Sequence, residues 1–356
     1  MKAEERLALV KEVGEEIITE DELVKLLSEK KNPVAYDGFE PSGRIHIAQG
    51  LMRAINVNKM TDAGCTFKML VADWHAWLNN KFGGDLGKIQ LAGDYFVEVW
   101  KASGMNLDKV KFVNCSAFVE DQEYWKKVVQ VARHTTIQRM LRCGQIMGRR
   151  EGEIQQVSML FYPAMQAADI FQLEADICQL GMDQRKVNIL ARELAPKLGF
   201  KPPVAVHHHM LMGLLQPQVS EDTIERAIAL KMSKSNPDSS IFMDDSSEEI
   251  KRKISKGWCP EKQAAENPIL EYCKFIIFER FKEVEIKRPA KFGGSVSFTS
   301  YSDLERGYAA GKVHPLDLKV AVAEYLDKLI APVRKHFERG KPAKLLESVK
   351  NFAVTR

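Results

Sequence analysis

The chain has 356 residues, which suggests about two domains, and 45% of them are apolar, which excludes disordered and fibrous proteins. Its six cysteines form no C-x-x-C pair, which argues against a zinc site and indicates the reduced thiols of a cytoplasmic protein. The charged N-terminus does not resemble a signal peptide, and no apolar run is long enough to span a membrane. The net charge is +4, and the excess of Lys and Arg lies beyond residue 240. This distribution favours either a polyanionic partner or a solvated basic surface.

In chain order, a helical N-terminal segment (residues 1–30) precedes an alternation of strand and helix patterns. Short apolar runs predict strands at 34–36, 66–72, 110–113, 175–180 and 204–207. Helical spacing lies between them near 46–63, 88–103, 121–147, 162–173 and 183–198. This alternation predicts an α/β fold with a Rossmann-like parallel sheet over residues 31–230, whose ligands bind beyond the carboxyl ends of the strands.

The pattern changes after residue 230. Residues 231–247 are rich in Ser, Lys and Asp and are typical of a mobile loop and linker. Residues 248–356 are mostly helical, with one strand-like interruption at 293–298 and a long amphipathic helix at 317–337. The sequence therefore predicts a second, mostly α-helical domain over 248–356.

The stretch Gly38–Gly50 lies between the first strand of this alternation and a helix, where a phosphate-binding loop would lie. It has neither the spacing of a dinucleotide fingerprint nor the Gly-Lys-Ser/Thr of a P-loop, which argues against a nucleotide-dependent dehydrogenase. His46 begins the following helix, where backbone N–H groups and the helix dipole favour anions. Gln49 projects from the same face one turn later.

Asp169 is the only charged residue between Gln155 and Leu173, and a lone charge among apolar residues needs partners. Tyr162, Gln166 and Asp169 stand at i, i+4 and i+7 and share one helix face. With Tyr36, His75 and the Gly181–Gln184 turn, this face predicts a pocket for a small aromatic molecule with polar ends. A buried structural hydrogen-bond network is the alternative.

Lys231 and Lys234 stand three residues apart with a hydroxyl between them in Lys231-Met232-Ser233-Lys234-Ser235. Two ammonium groups on a loop can neutralise charge that develops on a triphosphate as pyrophosphate leaves. A solvated charged loop is the alternative for any isolated pair of lysines.

These motifs carry a family resemblance. Lys231–Ser235 resembles the KMSKS loop of class I aminoacyl-tRNA synthetases, and His46–Gln49 resembles a degenerate HIGH motif. Nearly the whole chain resembles the tyrosyl-tRNA synthetases of archaeal and eukaryotic type, through Tyr36–Gly43, Tyr162–Asp169 and Gly181–Lys186 in the sheet domain and through 292–294 and 314–319 in the helical domain.

The resemblance implies a two-step reaction that joins tyrosine to tRNA(Tyr) by way of tyrosyl-adenylate. Tyr36 and Asp169 would hold the substrate phenol, and the tyrosine ammonium and carboxylate would meet Tyr162, Gln166 and Gln184. His75 would lie near this pocket, in direct contact or behind it. His46, Gln49, Lys231 and Lys234 would act on ATP, which would bring Mg²⁺ with it, and further ATP contacts would come from Gly38, Gly43, Gly181 and Asp183.

For tRNA, the resemblance implies acceptor-end contacts at Arg142 and Arg185 and anticodon contacts at Phe292, His314 and Asp317. Generic phosphate contacts remain the alternative for the arginines, and a helix N-terminal acid remains the alternative for Asp317. The family is dimeric through the sheet domain, which makes helix 121–147 a candidate contact in a homodimer.

The sequence departs from the family pattern at two places. The last two residues of HIGH are Ala48 and Gln49 here, whereas Lys234 keeps a lysine that many relatives replace with serine. The lysine loop is therefore expected to supply more of the charge stabilisation.

Three rival interpretations remain. A tryptophanyl-tRNA synthetase would not need an acceptor at a phenol hydroxyl, and a catalytically silent RNA-binding paralogue would not need both lysines. A metal site at His207–His209 is disfavoured because strand alternation separates the three rings.

Overall fold

The computed structural model describes residues 1–149, 151–217, 232 and 236–353, without the side chains of residues 151 and 292. Lys231 and Lys234 lie outside the described residues. The strands are β1 Glu16–Ile18, β2 Val34–Phe39, β3 Thr66–Val71, β4 Val110–Asn114, β5 Ile177–Cys178, β6 Val204–His207, β7 Val284–Ile286 and β8 Val296–Phe298. The α-helices are α1 Ala3–Val13, α2 Glu20–Glu29, α3 Arg53–Asp62, α4 Asp73–Leu78, α5 Leu86–Ala102, α6 Gln122–Arg133, α7 Ile137–Gly144, α8 Val157–Gln172, α9 Arg185–Leu194, α10 Ser247–Lys256, α11 Pro268–Tyr272, α12 Tyr301–Ala309, α13 Pro315–His336 and α14 Gly340–Asn351.

The main sheet has six strands in the order β1-β6-β5-β2-β3-β4. All neighbours from β6 to β4 are parallel, which confirms the α/β fold and the parallel sheet predicted from the sequence. The chain runs from β2 outward to β3 and β4, and then returns to place β5 and β6 on the other side of β2. A crevice therefore opens beyond the carboxyl ends of β2 and β5, where strand order reverses and ligands of such sheets bind.

Strand alternation separates the core into two layers. Along β2, Ala35 faces a core that includes α3 and α5, whereas Tyr36 faces a second core under α6, α7 and α8. The same alternation sends Asp37 toward α3, where it meets Arg53. Consecutive residues of one strand thus supply polar groups to opposite sides of the sheet.

The N-terminal segment differs from the sequence prediction, because β1 interrupts its two helices. β1 pairs antiparallel with β6, so the sheet is mixed at this edge. Gly14 ends α1, and the Thr19 side chain starts α2 by accepting a hydrogen bond from the Glu22 backbone. Three residues are too few to show a period of two, so the sequence pattern did not reveal this strand.

The predicted helix 121–147 is two helices, α6 and α7, because the chain leaves helical geometry at Thr136. The Thr136 side chain accepts a hydrogen bond from the Arg139 backbone and caps α7. Both helices pack against α8, which positions that helix across the sheet.

The C-terminal part is mostly helical, as predicted, and contains the antiparallel pair β7–β8. Its core residues on α13, including Leu326 and Ile330, belong to the same apolar core as α3 and α5. α14 packs against α5. Residues 239–243 and 245 of the expected linker are buried, which shows that this stretch is part of the packed structure. Among the described residues, no helix is long and apolar enough to cross a membrane.

Candidate active site

A pocket of about 360 Å³ opens beyond the carboxyl ends of β2 and β5, at the crevice where strand order reverses. Its wall includes ten of the residues that the sequence assigned to tyrosine or ATP: Tyr36, Gly38, His46, Gln49, Tyr162, Gln166, Asp169, Gly181, Asp183 and Gln184. The fold therefore gathers residues that are almost 150 positions apart into one cavity.

At the enclosed end of this pocket lies Asp169, whose side chain is fully buried. One carboxylate oxygen, Oδ1, accepts a hydrogen bond of 2.8 Å from the Tyr124 hydroxyl. The other, Oδ2, lies 3.1 Å from Nε2 of His75. Burial by itself lowers the pKa of His75, but the Asp169 carboxylate outweighs burial and raises the pKa above its ordinary value.

Four buried side-chain atoms at this end have no well-directed hydrogen bond within the described part of the chain. They are the Tyr36 hydroxyl, Asp169 Oδ2 and both ring nitrogens of His75, and all three residues line the pocket. Buried polar groups are nearly always fully paired in folded proteins, so a hydroxyl and a carboxylate oxygen with hydrogen-bonding capacity left at one cavity indicate a polar ligand group.

The side of the pocket next to this end is formed by Tyr162, Gln166 and Gln184. The Gln166 amide nitrogen donates to the Gln184 side-chain oxygen over 3.1 Å, and Gln184 in turn donates to the Ile146 carbonyl over 3.2 Å. The Tyr162 ring meets the His75 ring edge to face, with centroids 4.8 Å apart. Burial and then the nearby Glu40 carboxylate raise the pKa of Tyr162, so its hydroxyl stays protonated and can donate.

The opposite part of the pocket contains the residues assigned to ATP. His46 and Gln49 lie where the chain enters a π-helical turn, Ala48–Met52, that continues as α3. The predicted helix near 46–63 thus begins as a π-turn, a geometry that is frequent at functional sites. Gly181 makes room for two neighbouring side chains at the pocket wall, because a Cβ there would lie 2.5 Å from Met210 Sδ and 2.8 Å from Asp183 Oδ1.

Gly43 is the one described ATP candidate that the structure leaves outside the pocket wall. Its φ of 128° lies in the region that favours glycine, so its role in the structure is to turn the chain before His46.

Beneath the ATP side lies a polar cluster that sequence reasoning missed. Arg53 is 1% exposed and donates to Asp37 Oδ2 over 2.6 Å, and it also donates to the Gln179 side-chain oxygen. His208 Nδ1 lies 2.9 Å from the Gln179 amide nitrogen. Burial raises the pKa of Asp37 to about 6, although Arg53 opposes that rise. The signal available in the sequence was Asp37, a charged residue within the apolar pattern that predicts β2.

The residues assigned to tRNA lie away from this pocket. Arg142 is exposed on α7, and exposed Arg185 donates from Nε to both carboxylate oxygens of Glu16, at 3.0 and 2.9 Å. His314 caps α13 by accepting from the Leu316 backbone, and Asp317 is half-buried in the first turn of that helix. The side chain of Phe292 lies outside the described part.

Comparison with known proteins identifies the family. A family model described as tRNA synthetases class I (W and Y) matches residues 28–331. The tyrosine–tRNA ligase 1, cytoplasmic, of Arabidopsis thaliana is 49% identical over 359 residues, an alignment that covers 100% of this chain and 90% of that protein. The chain belongs to the tyrosine–tRNA ligases of archaeal and eukaryotic type.

Two further relatives show how this chain compares in length and structure. The tyrosine–tRNA ligase 2, cytoplasmic, of the same plant is 50% identical over 359 residues, and the chain spans 46% of its length. A crystal structure of the tyrosyl-tRNA synthetase from Pyrococcus horikoshii complexed with L-tyrosine has a TM-score of 0.91 at 41% identity and covers 98% of this chain and 100% of that one. The fold is therefore that of a tyrosyl-tRNA synthetase over nearly all of the chain.

Tyr124 is a residue of this site that sequence reasoning missed, although the motifs supplied many of the residues that line the pocket. It lies on α6, outside every motif, and only the fold brings it to Asp169. The single signal in the sequence was that a lone carboxylate on α8 requires a hydrogen-bond donor from a neighbouring element.

The three histidines at 207–209 point to different partners. The His207 ring contacts Asn188 and Glu16, and the His208 ring contacts Gln179. His209 stacks on Phe275 with ring centroids 4.5 Å apart, and its two nitrogens lie 3.3 Å from Glu15 and 3.2 Å from Glu271. Within the ranges that the structure describes, no group of three His, Cys, Asp or Glu residues is arranged to hold a metal ion.

The environment of His209 predicts a pH-dependent stability. Burial lowers the pKa of His209, but Glu15 and Glu271 outweigh it and raise the pKa to about 9. A raised pKa means that this ion cluster stabilises the fold fully below pH 6.5 and that its contribution is lost as the pH rises through 9. We expect the stability advantage of the wild type over His209→Gln to fall by about 1 to 2 kcal/mol between pH 6 and pH 9.5, since Glu15 is half-exposed.

Urea denaturation of both proteins at several pH values measures this difference. Glu271→Gln should lower the pKa of His209 and reduce the same pH dependence. A difference between wild type and His209→Gln that stays constant across this range would show that the imidazole carries no extra proton in the folded state.

Proposed function

We propose that this chain activates L-tyrosine with ATP and transfers the tyrosyl group to tRNA(Tyr). The observation that carries the proposal is the pair of buried polar groups that line the pocket at its enclosed end, the Tyr36 hydroxyl and Asp169 Oδ2, neither of which has a well-directed hydrogen bond within the described residues. The family supports the same conclusion, because its named members are tyrosine–tRNA ligases.

The phenol hydroxyl of tyrosine fits between these two groups. It donates its proton to the Asp169 carboxylate and accepts a hydrogen bond from Tyr36. Tyr124 holds the other carboxylate oxygen, and His75 lies beside the open one, so the carboxylate is fixed before substrate enters. Phenylalanine would leave both open groups unpaired in a dry pocket, and an unpaired buried charge is especially costly. The pocket therefore selects for the hydroxyl.

In the first step, a tyrosine carboxylate oxygen attacks the α-phosphate of ATP. A new P–O bond forms, the bond to the β-phosphate bridging oxygen breaks, and pyrophosphate leaves. In the second step, a hydroxyl of the tRNA 3′-terminal ribose attacks the tyrosyl carbonyl and releases its proton. An ester bond forms, the bond between the carbonyl carbon and the AMP oxygen breaks, and AMP leaves with the bonding electron pair. No covalent enzyme intermediate is required, so the protein contributes positioning and charge stabilisation.

The residues around the amino-acid backbone and the phosphates are assigned in the same proposal. Gln166, Gln184 and Tyr162 orient the ammonium and carboxylate of tyrosine. His46 and Gln49 contact ATP phosphates at the start of the π-turn, and Gly38, Gly181 and Asp183 complete the ATP site. Lys231 and Lys234 neutralise the departing pyrophosphate. Mg²⁺ enters bound to the ATP phosphates, the usual arrangement for this ion in nucleotide chemistry.

The amino-acid specificity can be tested by ATP–pyrophosphate exchange with tyrosine, phenylalanine and tryptophan in parallel. We expect exchange with tyrosine and at least a roughly 100-fold lower kcat/KM with phenylalanine, because two hydrogen bonds to the hydroxyl are lost, one of them to a charged group.

Each other outcome favours a rival. Exchange that prefers tryptophan would assign the chain to the tryptophan enzymes of the same class. A folded protein that binds tRNA but shows no exchange with any of the three amino acids would be a catalytically silent RNA-binding paralogue.

Anticodon recognition is proposed for Phe292, His314 and Asp317. A carboxylate can accept two hydrogen bonds from the Watson–Crick edge of guanine, and flat rings can stack on an unpaired base. His314 and Asp317 lie together at the start of α13, exposed and half-exposed, in a basic half of the chain. Acceptor-end contacts are proposed for Arg142 and Arg185, both of which are exposed.

The role of Asp317 can be separated from a helix-dipole effect by comparison with Asp303. Both are the third residue of a helix, α13 and α12, and complement the same end of the helix dipole. We expect Asp317→Ala to raise the KM for tRNA(Tyr) in aminoacylation roughly 10-fold without changing pyrophosphate exchange, because only the tRNA step uses the anticodon. Asp303→Ala should change neither; equal effects of the two variants would refute a base contact at Asp317.

A homodimer through the sheet domain is proposed on the exposed apolar residues of α6, α7 and α8. Val157 and Phe161 stand one turn apart on α8 and are 73% and 44% exposed, and Ile137 at the start of α7 is 73% exposed. Phe161→Glu should convert a dimer into a monomer in sedimentation analysis, whereas a monomeric wild type would contradict the proposal.

A cytoplasmic location is proposed from the names of the plant relatives and is testable by imaging a tagged protein.

A further inference from the structure

An ion cluster lies behind His46, outside the pocket described above. Arg44 donates from Nε to both oxygens of Asp244, at 2.8 and 3.1 Å, and from Nη2 to Asp245 Oδ1 at 2.8 Å. Lys253 donates to Asp245 Oδ2 over 2.6 Å, and Lys350 on α14 lies 3.0 Å from Asp244. Both aspartate side chains are 3% exposed. Removing one of these cations would leave a buried carboxylate without its ion-pair partner, which is strongly destabilising.

The cluster is joined to His46 through paired backbone. The Ile47 N–H donates to the Ile241 carbonyl and the Met243 N–H donates to the Ile45 carbonyl, both over 2.9 Å. This antiparallel bridge places His46 opposite Phe242. Arg44 therefore immediately precedes the paired segment 45–47, and Asp244 and Asp245 immediately follow the paired segment 241–243.

Side-chain packing fixes the same bridge from both sides. The Arg44 guanidinium lies 4.2 Å from the centre of the Phe242 ring, and the Lys253 ammonium lies 4.7 Å from it. Asp245 Oδ2 also accepts from the Phe242 backbone over 2.9 Å. Met243 fills the space above Gly50, where a Cβ would lie 2.5 Å from its Sδ. The backbone that carries His46 thus has little freedom to move apart from the cluster.

We infer that Arg44 is a positioning residue for ATP, acting through Asp244 and Asp245 to fix the backbone of residues 45–47 and hence the His46 ring. The inference rests on the function proposed above. In this inference, the position of His46 at the ATP phosphates depends on the Arg44 ion cluster. The helical C-terminal part contributes Lys253 of α10 and Lys350 of α14 to that cluster. The tyrosine side of the pocket, built on β2 and α8, has no side chain in this cluster.

This arrangement predicts a separation between ATP chemistry and tyrosine binding. Arg44→Met should lower kcat/KM for ATP in pyrophosphate exchange about 10- to 100-fold, because small displacements of a positioned group have large effects on rate. The tyrosine Kd, measured calorimetrically, should change less than 2-fold. Arg44→Lys should restore part of the loss because it keeps a cation beside the two aspartates.

Arg252→Met is the matched control. Arg252 is bound to Asp238 and Glu249 near the same cluster, but neither carboxylate belongs to the bridge. This variant should keep kcat/KM for ATP within 2-fold of the wild type. An equal loss in Arg252→Met and Arg44→Met would overturn the inference, because it would indicate a general effect of surface charge.

A double-mutant cycle with His46 decides whether Arg44 acts through that ring. In a His46→Ala background, Arg44→Met should cost less than 3-fold in kcat/KM for ATP, because the positioned group is already absent. If Arg44→Met lowers kcat/KM for ATP as much in the His46→Ala background as in the wild type, the inference is overturned. It is also overturned if Arg44→Met weakens tyrosine binding to the same extent, or if it changes only the thermal midpoint. If Arg44→Met does not fold, Arg44→Lys and Asp244→Asn carry the same cycle. Absence of exchange in the wild type would instead refute the proposed function.

Discussion

A carboxylate buried in an apolar helix requires partners, and the tyrosine side of the pocket is arranged around that requirement at Asp169. Tyr124 on α6 satisfies one oxygen, and His75 at the start of α4 lies beside the other. The sheet contributes Tyr36 from β2, whose hydroxyl remains open. Three helices and a strand must therefore pack in one geometry to bring these partners to the buried Asp169 side chain, and the pocket that they form is the one proposed to hold a phenol.

In the proposed function, different parts of the fold form the two ends of the pocket. The amino-acid end is formed by β2, α4 and the layer of α6 to α8, whose packing brings Tyr124 and His75 to Asp169. The end proposed for ATP is formed by the opposite layer, where Asp37 and Arg53 lie buried beneath the pocket and residues 45–47 pair with 241–243. Because the 241–243 segment continues into the helical C-terminal part, the ATP side is structurally coupled to that part, whereas the tyrosine side is not.

The sequence predicted the parallel sheet, its helices and ten pocket residues, because apolar periodicity and motif spacing are local signals. It missed Tyr124, the Asp37–Arg53 pair and the Arg44 cluster, because each joins residues from separate elements and only the packed fold brings them together. It also missed β1, which is too short to show a period, and it read 121–147 as one helix because the cap at Thr136 interrupts few apolar positions. Gly43, assigned to ATP from its motif, lies outside the pocket wall with a φ that favours glycine, and its contact with ATP stays a prediction.

The central claim is that Asp169 recognises the phenol hydroxyl, and a cycle of protein and ligand changes tests it most directly. Calorimetric affinities of wild type and Asp169→Asn for tyrosine and phenylalanine give the coupling between the carboxylate and the hydroxyl. The account predicts that the substitution reduces the preference for tyrosine at least about 10-fold while phenylalanine binding changes little, because a hydrogen bond to a charged group is lost only with tyrosine. An unchanged ratio of the two affinities would contradict the account.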